Sequence, residues 1–172
     1  HERVEGIQEK GCSILALLSS TETLHVNISL TETDGIDLIV SALASFSSNQ
    51  RIQVDACKAL SHLSVDHESR MLIASQGGLI LIVNAMNSNQ DNVNLLEAAC
   101  SAILNLSADS EEQVLVDSNV VEAVVNLMTH HRDASLLQEK ALGVLQNVSM
   151  RNSNAKATIS QAGGIRAVAA AI

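Results

Sequence analysis

Two kinds of segment recur along this chain with one shared spacing, and that period limits the fold more than any other feature. The first kind occupies Asp34–Leu43, Gly77–Met86, Asn119–Met128 and Gly163–Ile172, in steps of 43, 42 and 44 residues. The second occupies Gly11–Ser19, Ala56–Ser64, Ala99–Ser107 and Ala141–Ser149, in steps of 45, 43 and 42. Two unrelated segments keeping one period mean that a structural unit is repeated. No such unit buries its apolar face alone, so the units must stack.

Within a unit the apolar spacing is helical. Ile52, Ala56, Ala59, Leu60 and Leu63 recur on one face, with Arg51, Asp55, Lys58 and His62 on another. The period predicts a short helix at Glu68–Gln76, a second at Leu79–Met86 and a longer third at Val93–Ser107. Before each second helix stands Asp34, Gly77, Asn119 or Gly163. All three residue types tolerate the left-handed conformation that ends a helix sharply. In the third unit Val120 replaces the second glycine of the corner. Polar stretches at Ser47–Gln50, Asn87–Asn92 and Thr129–Asp133 join second helices to third ones.

Composition agrees with helix. The chain has no Pro, Trp or Tyr, and Phe46 is its one aromatic residue. An all-β sandwich of 172 residues would ordinarily show aromatics and turn prolines. Apolar residues make up 47%, far above what a disordered chain carries. No apolar run approaches the ~20 residues of a membrane-spanning helix, and no basic segment leads into an apolar one as in a signal peptide. The formal charge of −9 and the lack of stacking platforms argue against nucleic acid as a partner.

Three helices per unit, a Gly-Gly corner at Gly77–Gly78 and Gly163–Gly164, and the Ala-Cys-x-Ala-Ile-Leu-Asn-Leu run at Ala99–Leu106 resemble the armadillo repeat family. HEAT repeats share the period but are helix pairs without this corner. The resemblance spans the whole chain and implies an all-α fold, a right-handed armadillo-type α-solenoid forming a single domain. Its units fall at 1–20 (partial), 21–64, 65–107, 108–149 and 150–172 (partial). The first unit opens on a third helix and the last stops after a second. We therefore expect a piece of a longer array, or a domain whose uncapped ends self-associate.

Enzyme chemistry finds no support. Nucleophile elbow, phosphate loop and dinucleotide fingerprint are all lacking, so we expect no catalytic residues and no cofactor. Cys12, Cys57 and Cys100 share one position in successive units, where the next unit has Leu142. Equivalent positions of packed helices lie ~8–10 Å apart, beyond disulfide reach. They read as small core residues carrying free thiols in a reducing cytoplasmic or nuclear compartment. His130 and His131 are expected in a solvated loop, and no metal site is expected. Asn-x-Ser triplets at Asn27, Asn105 and Asn147 match glycosylation acceptors, but the last two fall inside third helices. Phe46, at the end of a second helix, is expected to fill a gap between units.

The resemblance implies a different role, protein binding. Third helices of armadillo proteins line a concave groove for extended peptides, and a recurrent Asn there bonds the ligand backbone. The matching positions are Leu17, His62, Asn105 and Asn147. An Asn near a helix end can also bond groups of its own protein, which is the plainer alternative. Nuclear-import adaptors of the family carry Trp one turn earlier. Here those positions hold Ser13, Lys58, Ser101 and Gly143, which disfavours recognition of a localisation signal. Lys10, Arg51, Lys58 and Lys140 fall on the same face with Asp55 as the one acid placed there, so a peptide or protein partner with an acidic or mixed segment is expected. The runners-up are a regulatory or spacer module that docks its own chain and a chaperone-associated solenoid. No membrane partner is expected.

Overall fold

The computed structural model describes residues 4–20, 34–108, 115, 119–151 and 155–172. Ten helices lie among them, with no strand: α1 (Glu5–Ser19), α2 (Gly35–Ser45), α3 (Gln50–Leu63), α4 (His67–Ser75), α5 (Gly78–Ser88), α6 (Val93–Leu106), α7 (Val120–His130), α8 (Ser135–Arg151), α9 (Ala155–Gln161) and α10 (Gly164–Ala171). First-helix segments expected at 21–33 and across most of 109–118, together with Asn27, lie outside the described residues.

The corner expected before each second helix is present four times. Asp34, Gly77, Asn119 and Gly163 have φ of 56°, 71°, 53° and 82°. The turn at Gly77 sets α4 and α5 at 76° to one another. The glycine after it answers a different need. A Cβ on Gly78 would lie 2.4 Å from Ile73 Cγ2 and 2.8 Å from the Ile73 carbonyl oxygen, so the chain closes tightly on the end of α4. Gly164 is crowded in the same way by Ile159.

Third helices begin on side-chain caps. Asn49 and Asn92 each accept, at 3.1 Å, from the backbone N–H three residues on, Ile52 and Leu95. Buried Gln53 donates to the carbonyls of Leu43 and Phe46 at 2.8 and 3.1 Å, satisfying the otherwise open end of α2. Gln138 does the same for Met128 and His131 at the end of α7. In the unit between, the matching residue is Leu96, and Asn89 bonds the Ala85 carbonyl instead, at 2.9 Å.

Successive third helices α1, α3, α6 and α8 pack side by side. Second helices α2, α5, α7 and α10 form a parallel row, and each packs on the third helix of its unit where one follows. First helices α4 and α9 each bridge two neighbouring second helices. One continuous aliphatic core runs between the rows from Ala16 to Ala167. Phe46 packs against a satellite cluster of Cys12, Ala42 and Ile52, joining the first two units as expected. No single helix among the described residues is long and apolar enough to cross a membrane. The architecture is an α-solenoid whose third helices form one repeated row.

Candidate functional site

The expected asparagine column sits near the C-terminal ends of the third helices, and its side chains engage the preceding unit. Asn105 Nδ2 donates to Ser64 Oγ at 3.1 Å and lies 3.5 Å from the Ser61 carbonyl oxygen. Asn147 Nδ2 repeats the arrangement one unit on, reaching Leu104 O at 3.1 Å and Ser107 Oγ at 3.3 Å. His62 Nδ1 lies 3.4 Å from Ser19 Oγ, the matching serine again. Together these contacts form a ladder tying each third helix to the one before. Leu17 occupies the same column in α1 and is 69% exposed. Of the two roles weighed for these asparagines, the structure displays a bond within the protein. It runs between units rather than within one helix turn. Both asparagines remain half-exposed.

Beside the ladder, an open groove of about 620 Å³ runs across α3, α6 and α8. It gathers five of the nine residues singled out from sequence: Lys58, His62, Ser101, Asn105 and Lys140. Arg51 and Asp55 line a second, smaller depression of about 220 Å³ near the start of α3. Lys10, exposed on α1, and Asn147 line neither.

The electrostatics differ from the expected basic stripe. Glu97, not singled out from sequence, lines the groove with Lys58 and Lys140. Arg51 Nη1 is paired with Glu9 Oε1 at 3.2 Å. Asp55 accepts a hydrogen bond from Ser13 Oγ. Asp55 is therefore not the one acid on this face, and the surface is mixed in charge. The sequence carried a signal for this, because Glu9, Glu97 and Glu139 share one position in three units. Ser101 Oγ donates to the Glu97 carbonyl within α6, at 3.0 Å. Burial, and then the charge of Lys58, hold the His62 imidazole below its ordinary 6.5, favouring the neutral ring.

The remaining candidates are structural. Cys12, Cys57 and Cys100 are free and buried. Burial pushes the thiols of Cys57 and Cys100 up to about 12. Burial and then the Asp55 carboxylate push Cys12 to about 11. Thiolates are scarce at such values, so these residues are poor nucleophiles. His130 and His131 do not occupy a simple solvated loop. α7 continues through His130, whose Nδ1 bonds the Asn126 carbonyl at 2.8 Å. His131 is half-buried, and its Nε2 bonds the Gln90 carbonyl of the preceding unit at 2.6 Å. Both rings find backbone acceptors within reach; His130 stays exposed, as expected, and His131 is half-buried against the preceding unit. Among the described residues no group of three His, Cys, Asp or Glu side chains could hold a metal ion.

A family model described as LRRK2 ARM repeat matches residues 5–153, most of the chain and all of the units that carry the ladder. The chain belongs to the LRRK2 ARM repeat family. Its left-handed corners, the complete triplet α4, α5 and α6, and the stacked third helices are thus those of an armadillo-type solenoid. Armadillo repeats of this kind generally serve protein interaction and are generally non-catalytic. No curated protein and no solved structure matches the chain.

Proposed function

We propose that this armadillo module is a non-catalytic scaffold that takes an extended peptide or protein segment in the groove across α3, α6 and α8. The observation that carries the reading is the groove itself. It is about 620 Å³, open along its length, and lined by side chains from three successive units. An extended segment needs partners for its amides and carbonyls. Asn94, Ser101 and Asn105 supply donors and acceptors along that surface.

A peptide selected against this chain from a random library tests the reading when combined with Ser101→Trp. Ser101 is half-exposed at the middle of the groove, so the indole fills the space without entering the core. Binding should fall at least about tenfold while the thermal midpoint stays within a few degrees. Undiminished binding by a folded Ser101→Trp variant would place the peptide elsewhere and refute the groove.

A second reading, a spacer module docking its own chain, draws support from the ladder. Groups that would meet a peptide in trans already hold successive units together, a feature suited to a stiff spacer.

A further inference from the structure

The groove has two unlike rims. On α6, Glu97 and Leu104 both line the open space and stand seven residues apart. Seven residues make two turns, so the pair shares a face and is separated by about 10.5 Å along the axis, at 1.5 Å per residue. Lys58 on α3 and Val65, in the turn just past its end, line the same space at the same separation in sequence. Lys140 Nζ reaches across from α8 to the Glu97 backbone carbonyl at 3.4 Å, which sets it on the Glu97 side. One rim is therefore charged, with two lysines against one glutamate. The other is aliphatic, with Leu104 half-exposed and Val65 70% exposed. Between the rims lie the polar side chains of His62 and Ser101, four residues after Lys58 and Glu97.

That cross-section selects a backbone and its orientation. In an extended strand the N–H and C=O groups point sideways, at right angles to the side chains, which alternate between opposite faces. A strand laid along the groove with one edge of its backbone on the polar middle sends successive side chains to opposite rims. With its side chains a strand is about 10 Å thick, the spacing of stacked sheets, and this matches the distance between the rims. An α-helix is about as wide, at 10–12 Å, but its amides are bonded internally and leave the polar middle unmatched.

Resting on the groove reading above, we propose that the preferred occupant is an extended peptide in which acidic and aliphatic residues alternate. Its acids meet the rim where Lys58 and Lys140 outnumber Glu97, and its aliphatic side chains cover Val65 and Leu104. The requirement lies in the alternation and not in the composition alone. The same residues set at helical spacing put both kinds of side chain on each rim when the peptide is extended.

Three eight-residue fluorescent peptides test this with the 172-residue chain in low-salt buffer. The first alternates Glu and Leu. The second has the same four Glu and four Leu, with Leu at positions one, four, five and eight. The third alternates Lys and Leu. Anisotropy titration should give the first peptide roughly tenfold tighter binding than either other. Val65→Asp should weaken the first peptide about tenfold, and Lys58→Glu should narrow the gap between the first and the third. Both variants alter exposed side chains, and unchanged far-ultraviolet circular dichroism certifies their folding. Equal binding of the first two peptides, or tighter binding of the second, overturns the alternating strand and leaves the groove reading standing. Equal binding of the first and third overturns the acidic requirement, and a Val65→Asp protein that binds like the parent overturns the aliphatic rim. Failure of all three peptides, while library-selected peptides remain sensitive to Ser101→Trp, overturns the pattern alone. Insensitivity of every peptide to Ser101→Trp removes both.

Discussion

Truncating Asn105 isolates the ladder between units. Asn105→Ala removes the Nδ2 donor at 3.1 Å from Ser64 Oγ and the longer 3.5 Å approach to the Ser61 carbonyl. Ser64 is buried, but its own hydroxyl still donates to Ser61 O at 3.0 Å, so no buried donor is orphaned. The loss is therefore that of one net hydrogen bond, about 1 kcal/mol, rather than the ~3 kcal/mol of an unsatisfied buried group. In a chain of this size that lowers the thermal midpoint by about 2–4 °C. Asn105→Asp should cost more than Ala, because its carboxylate would face the Ser61 carbonyl without a proton to offer. Asn147→Ala should behave like Asn105→Ala, and the two should add to within about 0.5 kcal/mol, since they share no partner. The affected term is an interface between units. Hydrogen exchange should therefore show the segment before the α3–α6 junction opening more readily in Asn105→Ala. The assay is thermal and urea unfolding of the parent, the three single variants and the double alanine variant. Asn105→Asp unfolding with the parent's midpoint would refute the reasoning.

Three further outcomes follow from the same geometry. Gly78→Ala should be about 1–3 kcal/mol less stable in urea, because its Cβ meets the Ile73 carbonyl at 2.8 Å; Gly77→Asn should be nearly neutral, since Asn119 already holds φ 53° in that column. An equally stable Gly78→Ala protein would contradict the close approach. Native protein should resist thiol labelling at pH 8, with Cys12 no faster than a buried thiol and all three cysteines reacting once unfolded; rapid native labelling of Cys57 or Cys100 would show that their burial is wrong. The folded pKa of His62 lies below its unfolded 6.5, so the unfolded state takes up the proton first. Stability should hold above pH 7 and decline as pH falls through 6.5 toward the folded pKa; His62→Asn should flatten that decline, and identical pH profiles for the two proteins would count against it.

Much of the fold is visible in the sequence because it depends on backbone conformations that few residue types adopt. The column Asp34, Gly77, Asn119 and Gly163 announces four left-handed corners, and all four are there. Aliphatic spacing places the third helices to within a residue or two, since their cores pack in register. The site is less legible because it depends on directions. Asn105 and Asn147 stand in the expected column, yet the column alone does not say whether an amide faces a ligand or the neighbouring unit. A signal for the answer lay in the Asn-x-Ser triplets. Each ladder residue is followed two positions on by Ser64, Ser107 or Ser149, and Ser19 holds that place in α1. Ser19, Ser64 and Ser107 each meet the next unit's side chain, which accounts for their recurrence. Glu97 is legible only when acids are aligned as well as bases, since Glu9, Glu97 and Glu139 share one position. Gln53 and Gln138 were missed because buried amides that close a helix end leave no mark on apolar spacing.

The proposed seating of a partner segment in the groove across α3, α6 and α8 is open to direct measurement. Methyl chemical shifts measured during titration with a library-selected peptide test it most directly. Val65, Ala98 and Leu104 line the groove, while Leu38 and Ile80 are exposed on second helices. Saturable shifts are expected at Val65, Ala98 and Leu104, with Leu38 and Ile80 unmoved. Shifts centred on Leu38 and Ile80, with the groove methyls silent, would contradict it.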